Sequence, residues 1–413
     1  MRERNTTNNG FRRGFLAGLL CMALLVIAVL YLPGCTDAGT LFRRNFGQGM
    51  AGQTVKAKEV REKLSDIAYI IDAYYYDDVT TEQISEGIYQ GILDSLKDPY
   101  SQYYNAEEYQ SLMEETTGSY YGIGAVLSQD RETGEISILH IYKDSPAETA
   151  GLKEGDVVRS VDGITADNVG LTELVKNVKG EEGTTVKIVV QREGADGLLE
   201  YEVKRGKVEV PTVEYQLLEG NTGLIQIAEF SDLTPAQFES AVTDLKSRGM
   251  TALIVDVRDN PGGVLDSVCD VLDQILPEGL LVYTEDKYGE REEYHASGES
   301  YLDMPLAVLV NGNSASASEV FAGAIKDYAY GTLIGTTTFG KGIVQSIIGL
   351  GDGSAVKVTI AKYFTPKGNY IHKVGIEPDI TLEYEYSEPE DTVYDPMHDN
   401  QVQKALEVLK NHE

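Results

Sequence analysis

From Phe15 to Leu32 the chain runs for 18 residues without a charge. In hydrocarbon such a stretch has one structure open to it, because only a helix satisfies every backbone donor and acceptor within a single segment. At ~1.5 Å per residue it is just long enough to cross a layer of ~30 Å. Arg2, Arg4, Arg12 and Arg13 precede it against the single acid Glu3, and such flanks stay on the cytoplasmic side. The expectation is a cytoplasmic tail over 1–14, a transmembrane helix over 15–32 and a body outside the cytoplasm, a single-pass arrangement in the cell membrane. Two alternatives export the body equally well. One is a cleaved signal, although its apolar region usually runs ~7–15 residues. The other is lipidation of Cys35 in Leu32-Pro33-Gly34-Cys35.

The 413-residue chain carries 66 Asp and Glu against 35 Lys and Arg, a net charge of −31. Such a surface repels phosphate backbones, so no nucleic-acid partner is expected. Of the 3 cysteines only Cys269 lies in the body, which excludes a disulfide framework and a cysteine-based zinc site. The 5 histidines never fall as a close pair. Neither a metal nor an organic cofactor is expected.

The exported part divides by its periodicities. Residues 33–54 read as a linker. Val60, Leu64, Ile67, Ala68 and Ile71 recur at helical steps, and a second helix fits Thr81 to Leu96, closed by Asp98-Pro99. A small helical bundle is expected over 55–117, with apolar faces extensive enough to suggest a homodimer. From 118 to 206 short strands and turns take over: a Gly-punctuated strand over Gly122–Leu127, strands at Ile136–Ile141, Val186–Arg192 and Tyr201–Arg205, and a short helix over Leu171–Val178. From 207 to 386 strands at Thr222–Ile227, Ala252–Val257, Leu306–Val310 and Leu333–Gly335 alternate with helices at Pro235–Arg248 and after Ser318, which argues for an α/β core. The tail over 387–413 ends in an amphipathic stripe of Val402, Ala405, Leu406 and Leu409, a docking helix.

Three stretches of the α/β part carry chemistry. In Val255-Asp256-Val257-Arg258-Asp259-Asn260-Pro261-Gly262-Gly263 a buried strand enters a turn whose glycines expose backbone N–H groups. Such a turn also serves as plain punctuation. In Asn311-Gly312-Asn313-Ser314-Ala315-Ser316-Ala317-Ser318-Glu319 a strand ends and a helix begins at a serine, as in a nucleophile elbow. Ser316-x-x-Glu319 is equally a capping box. In Phe339-Gly340-Lys341-Gly342-Ile343-Val344-Gln345 the phosphate-loop pattern fails because Gly342 follows the lysine. The neighbours Phe339, Ile343 and Val344 suggest a buried lysine stem. A lysine base must be neutral, and at a reference pKa of ~10.4 only about one in 2,500 is neutral at pH 7. Burial raises that fraction.

The block from Ser145 to Gly163, SPAETAGLKEGDVVRSVDG, resembles a PDZ domain. Nearly the whole exported part of the chain resembles the C-terminal processing peptidases, also called tail-specific proteases. The resemblance rests on Asp98-Pro99-Tyr100-Ser101-x-Tyr103 and on Arg258-Asp259-Asn260-Pro261-Gly262-Gly263. It rests further on the Ser314–Glu319 run, Phe339-Gly340-Lys341-Gly342, Ala361-Lys362-Tyr363-Phe364-Thr365-Pro366 and Gly375-Ile376-x-Pro378-Asp379. It implies a crotonase- or ClpP-like α/β protease core with an inserted PDZ domain.

It also implies the roles. Ser316 would be the nucleophile, Lys341 the general base and Gln345 the residue that orients the lysine. The backbone N–H groups of Gly262 and Ala317 would form the oxyanion hole, with Gly263 as an alternative to Gly262. Gly122, Ile123 and Gly124 would hold the carboxylate of a protein or peptide substrate with a free C-terminus, added as a strand to an open edge. Asp327 would be structural. The chain departs from many relatives in placing Lys179, not arginine, before Gly180, and lysine cannot reproduce a bidentate guanidinium contact. The competing function is a catalytically silent PDZ scaffold. A lyase on a related core lacks any CoA-binding feature.

Overall fold

The computed structural model describes residues 57–299, 301–387 and 394–410. The expected transmembrane helix over 15–32 lies outside these residues, and no helix among the described residues is long and apolar enough to cross a membrane. The chain forms two units. One consists of the described residues up to Tyr109 with Ser346–Val358, the other of Gln110–Gln345 with Thr359 onward.

The smaller unit opens with α1 (Ala57–Tyr74) and α2 (Thr81–Asp94). Thr80 caps α2, its hydroxyl accepting the Gln83 N–H while the Gln83 side chain accepts the Thr80 N–H. The expected bundle does not close. Val60, Leu64, Ile67 and Ile70 on α1 are exposed, and α2 buries none of its residues. After α2, Asp98 accepts from the Tyr100 amide and the Ser101 hydroxyl. That turn leads into β1 (Gln102–Tyr104), which pairs with residues 355–357.

The larger unit begins within α3 (Ala106–Thr117). There follow β2 (Ser119–Gly122), β3 (Ala125–Gln129), β4 (Ile136–Ile141), α4 (Pro146–Ala150), β5 (Val157–Val161), β6 (Ile164–Thr165), α5 (Leu171–Val178), β7 (Thr185–Gln191) and β8 (Leu198–Lys204). Sheet order is β3-β4-β5-β7-β8, so β3 is an edge strand. The strand expected to run through Gly122–Leu127 is broken, because Gly124 takes a positive φ of 77° that only glycine adopts readily. β2 instead pairs with β9 (Gly206–Glu209). Ile136, Ile138, Leu174, Val186 and Val203 fill this sub-core.

The remainder is a second sheet of six strands. β10 (Val213–Leu217) lies antiparallel to β11 (Thr222–Ile227). Parallel partners follow in chain order: β12 (Ala252–Asp256), β15 (Leu306–Val310), β16 (Thr332–Gly335) and β19 (Ile380–Thr381). β12 and β15 are buried at all five positions, the pattern of strands covered on both faces. On one face lie α6 (Thr234–Ser247), α7 (Leu265–Asp273) and α8 (Ala317–Tyr328), with Phe238, Leu245, Val268, Leu272 and Phe321 in the contact. On the other lies α9 (Asn400–Lys410), whose Val402, Ala405, Leu406 and Leu409 cover Ile254, Ala307 and Leu309. The hairpin of β13 (Gly279–Asp286) and β14 (Arg291–Ala296) pairs through β13 with Ala361–Phe364 of β18 (Ala355–Phe364), which follows β17 (Ile343–Gly349).

Parallel order sends each strand's carboxyl end to the same edge. The turns after β12, β15 and β16 therefore meet, and these are the three stretches singled out above. Phe321 anchors α8 beneath them, fully buried with its ring centroid 6.2 Å from that of Phe230. Replacing Phe321 by Ala should cost about 3–5 kcal/mol of unfolding free energy, measured by urea denaturation.

Candidate active site

The turn after β15 settles which of the three serines is available. Ser314 is fully buried, its hydroxyl donating to the Val257 carbonyl at 2.7 Å. Ser318 is likewise buried and donates to the Asn260 carbonyl at 3.0 Å. Both hydroxyls stitch this turn to the one after β12. Ser316 alone of the three keeps partial exposure. It sits at φ 55°, ψ −114°, a conformation costly for any residue but glycine, immediately before α8. A sharp strand-to-helix turn of this kind lifts a side chain out of the fold.

The capping-box reading of Ser316-x-x-Glu319 is partly what stands here: the Ser316 N–H donates to Glu319 Oε2 at 3.0 Å. What the sequence reading missed is the rest of that carboxylate. Glu319 has no exposed surface. Its Oε2 also accepts the Lys341 N–H at 2.6 Å, and its Oε1 accepts the Gly340 N–H at 2.7 Å and the Thr338 hydroxyl at 2.6 Å. One oxygen thus serves the amides of both Ser316 and Lys341, residues 25 apart in sequence. The signal was present as an acid among Ala317, Ser318, Val320, Phe321 and Ala322 in an otherwise buried helical turn.

The loop that carries Lys341 is clamped from behind. The Phe339 N–H donates to the Ser314 carbonyl at 3.0 Å, and the Lys373 N–H to the Gly340 carbonyl at 2.8 Å. The Tyr363 hydroxyl donates to the Lys341 carbonyl. A Cβ on Gly342 would stand 2.6 Å from the His372 nitrogen, so only glycine fits. Lys341 is half-buried. Ile343 is buried, whereas Phe339 is 55% exposed. Gln345 donates to the Ile343 carbonyl at 3.4 Å and the Thr359 hydroxyl at 3.5 Å. Those long bonds engage its Nε2 and not its Oε1.

The turn after β12 approaches Ser316 closely. A Cβ on Gly262 would lie 2.7 Å from Ser316 Cβ and 2.9 Å from the Ala317 nitrogen. The Gly262 N–H, expected as an oxyanion donor, instead donates to Asn260 Oδ1 at 2.8 Å. Asn260 is fully buried and spends its Nδ2 on the Ile227 carbonyl at 2.9 Å. Among the described residues neither the Gly263 N–H nor the Ala317 N–H donates to a protein acceptor. Asp259, at φ 58°, accepts from Asn313 at 2.7 Å and Asn311 at 3.0 Å, and these donors hold its carboxyl below the usual range. Asp327 accepts the Lys367 N–H at 2.8 Å, a structural contact.

In the small β sub-core, Gly122 ends β2, Ile123 is buried, and the Ile123 carbonyl accepts the Ala147 N–H at 2.7 Å. The Gly122–Gly124 segment leads directly into edge strand β3. Lys179 pairs with Glu114 on α3 at 2.5 Å, its Nζ 5.0 Å from the Tyr120 ring centroid.

Three family models match the chain: peptidase family S41 over residues 221–382, a PDZ domain over 138–192, and the N-terminal domain of the activating protease CtpB over 42–108. A probable CtpA-like serine protease of Staphylococcus aureus (strain COL) is 33% identical over 384 residues, which cover 92% of this chain and 76% of that protein. One from Staphylococcus epidermidis is 37% identical over 331 residues, covering 79% of this chain and 66% of that protein, just under two thirds of its length. Among solved structures, the photosystem II D1 C-terminal processing protease is 33% identical, with 76% of this chain and 86% of that one covered and a TM-score of 0.45.

Changing Glu319 to Gln presents an NH₂ group to at least one of the four donors. Each buried donor left unmatched costs about 1–3 kcal/mol, so E319Q should lower unfolding free energy by at least ~1 kcal/mol in urea titrations.

Proposed function

The chain belongs to the C-terminal processing peptidases of family S41, serine-type endopeptidases with a PDZ domain, and from that premise we propose that Ser316 and Lys341 cut protein substrates delivered by their C-terminal tails. The observation that carries the reading is the shared Glu319 Oε2, which ties the Ser316 and Lys341 amides to one atom. In the proposed reaction the Ser316 hydroxyl attacks the scissile carbonyl while neutral Lys341 takes its proton. The oxyanion is received by the N–H groups of Ala317 and Gly263, since Asn260 occupies that of Gly262. Lys341 then returns the proton to the leaving amine, and water releases the acyl group by the same route reversed. Gln345, with its Nε2 engaged, offers Oε1 to orient the lysine.

The tail-binding step is assigned to the Gly122–Gly124 backbone and the open edge of β3. Support comes from the edge position of β3 and the turn conformation of Gly124. With a net charge of −31 the long-range field disfavours anionic tails, so local donors and an apolar pocket must supply selectivity. The charge-free run Phe15–Leu32 supports a membrane-anchored protein with its catalytic body outside the cytoplasm. The exposed stripe of Val60, Leu64, Ile67 and Ile70 supports association of two copies.

Ser316→Ala should lower turnover by about 10⁴-fold or more, while S314A and S318A retain activity with reduced stability. Lys341→Arg should be inactive, because a guanidinium stays protonated at any usable pH. Cleavage of an unfolded test protein followed by gel densitometry decides both. An S316A protein as active as wild type would overturn the assignment, and inactive wild type that still binds C-terminal peptides would favour a silent scaffold. For the tail, a peptide ending in Ala or Val should bind at least about tenfold more tightly than its carboxamide by fluorescence anisotropy. Equal affinities would mean the carboxylate is not read.

A further inference from the structure

The carboxyl-terminal helix α9 reaches the active turns through one buried carboxylate. Asp399 has no exposed surface. Its Oδ1 caps α9, accepting the N–H groups of Gln401 at 2.8 Å and Val402 at 3.2 Å. Its Oδ2 accepts from Arg258 Nη1 at 2.8 Å and from the Tyr394 hydroxyl at 2.8 Å. Gln401, 143 residues downstream of Arg258, receives the same Nη1 at 2.9 Å. The rest of the guanidinium goes to Asp256, with Nε at 2.9 and 3.0 Å from its two oxygens and Nη2 at 2.6 Å from Oδ2.

Asp256 and Arg258 belong to one short segment, so their mutual pairing moves with it and fixes nothing outside. The anchor from outside is Asp399 with Gln401. Arg258 is followed at once by Asp259 at φ 58°, Asn260, Pro261 and the glycines that abut Ser316. A guanidinium held at both ends therefore fixes the origin of that turn. Docking of α9 needs no such contact, since Val402, Ala405, Leu406 and Leu409 already bury an apolar face. A buried ion pair is a weak source of stability, because desolvation offsets its attraction. Its placement here acts on geometry.

Resting on the peptidase reading above, we propose that Asp399 is a positioning residue for catalysis: through Arg258 it holds the Asp259–Gly263 turn where its backbone N–H meets the oxyanion. The test compares two variants of the full chain in mild detergent. Asp399→Asn keeps the size and the helix cap but removes the charge. Val402→Ala loosens the helix without touching the ion pair. D399N should lower kcat at least about tenfold with KM within about twofold. Amide hydrogen exchange in peptides spanning 256–264 should rise about tenfold. V402A should lower Tm by several degrees and leave kcat within about twofold.

Unchanged kcat or unchanged exchange in D399N would overturn the proposal. So would a V402A protein that loses kcat as D399N does, since the effect would then be general loosening. A wild-type chain without Ser316-dependent cleavage would defeat the peptidase reading instead, and the exchange comparison would still decide whether Asp399 holds the turn.

Discussion

A carboxylate without solvent must have its oxygens filled from within the protein, and the way Glu319 is filled organises everything around it. Four donors converge on it: the Ser316, Gly340 and Lys341 amides and the Thr338 hydroxyl. Hydrogen bonds to a charged group are worth ~1.5–3 kcal/mol each, enough to hold two otherwise independent turns at one point. Part of that sum offsets the backbone of Ser316, whose φ of 55° would not persist unsupported. Thr338 extends the arrangement, since its hydroxyl also accepts the Ile376 N–H at 2.7 Å. The carboxylate thereby links the turn after β15, the lysine loop and the segment leading to β19.

A second buried polar residue does the same work on the other side. Asn260 receives the Gly262 N–H, donates to the Ile227 carbonyl, and through its own carbonyl accepts from Ala315 and Ser318. Buried polar groups satisfied this completely specify one arrangement and penalise others. The parallel sheet supplies the frame, bringing the ends of β12, β15 and β16 to one edge. The side chains within the turns then set positions to a fraction of an ångström. Asp399 adds a third tie from the far face of the sheet, where α9 covers strands that would otherwise meet water.

Much of this was legible in the sequence. Ile136–Ile141, Leu171–Val178, Thr222–Ile227 and Leu306–Val310 read as strands and helix with the limits they adopt, because each is an apolar or amphipathic run bounded by turn residues. The apolar stripe on α9 was legible for the same reason. The run Gly122–Leu127 was not, because a single positive φ at Gly124 ends one strand and starts another without changing the hydropathy pattern. The bundle expected over 55–117 failed because periodicity reports an apolar face and not what covers it. At the site, the family resemblance singled out Ser316 and Lys341, while Glu319 stood out only as a capping partner. It could not show that Ser314 and Ser318 spend their hydroxyls on the neighbouring turn, that Phe339 points outward, or that Asn260 takes the Gly262 N–H. The two serine contacts join segments more than 50 residues apart, to which local pattern is blind.

Whether Glu319 assembles Ser316 and Lys341 into the proposed working pair is read directly from a thermodynamic cycle. The rate of covalent modification of Ser316 by a fluorophosphonate would be measured for wild type, Glu319→Gln, Lys341→Ala and the double variant. If Glu319 works through the pair, most of its effect vanishes once the lysine is gone, and the double variant's loss falls at least about tenfold short of the product of the single losses. Losses that multiply would show the two residues acting independently and would rule out a pair assembled by Glu319.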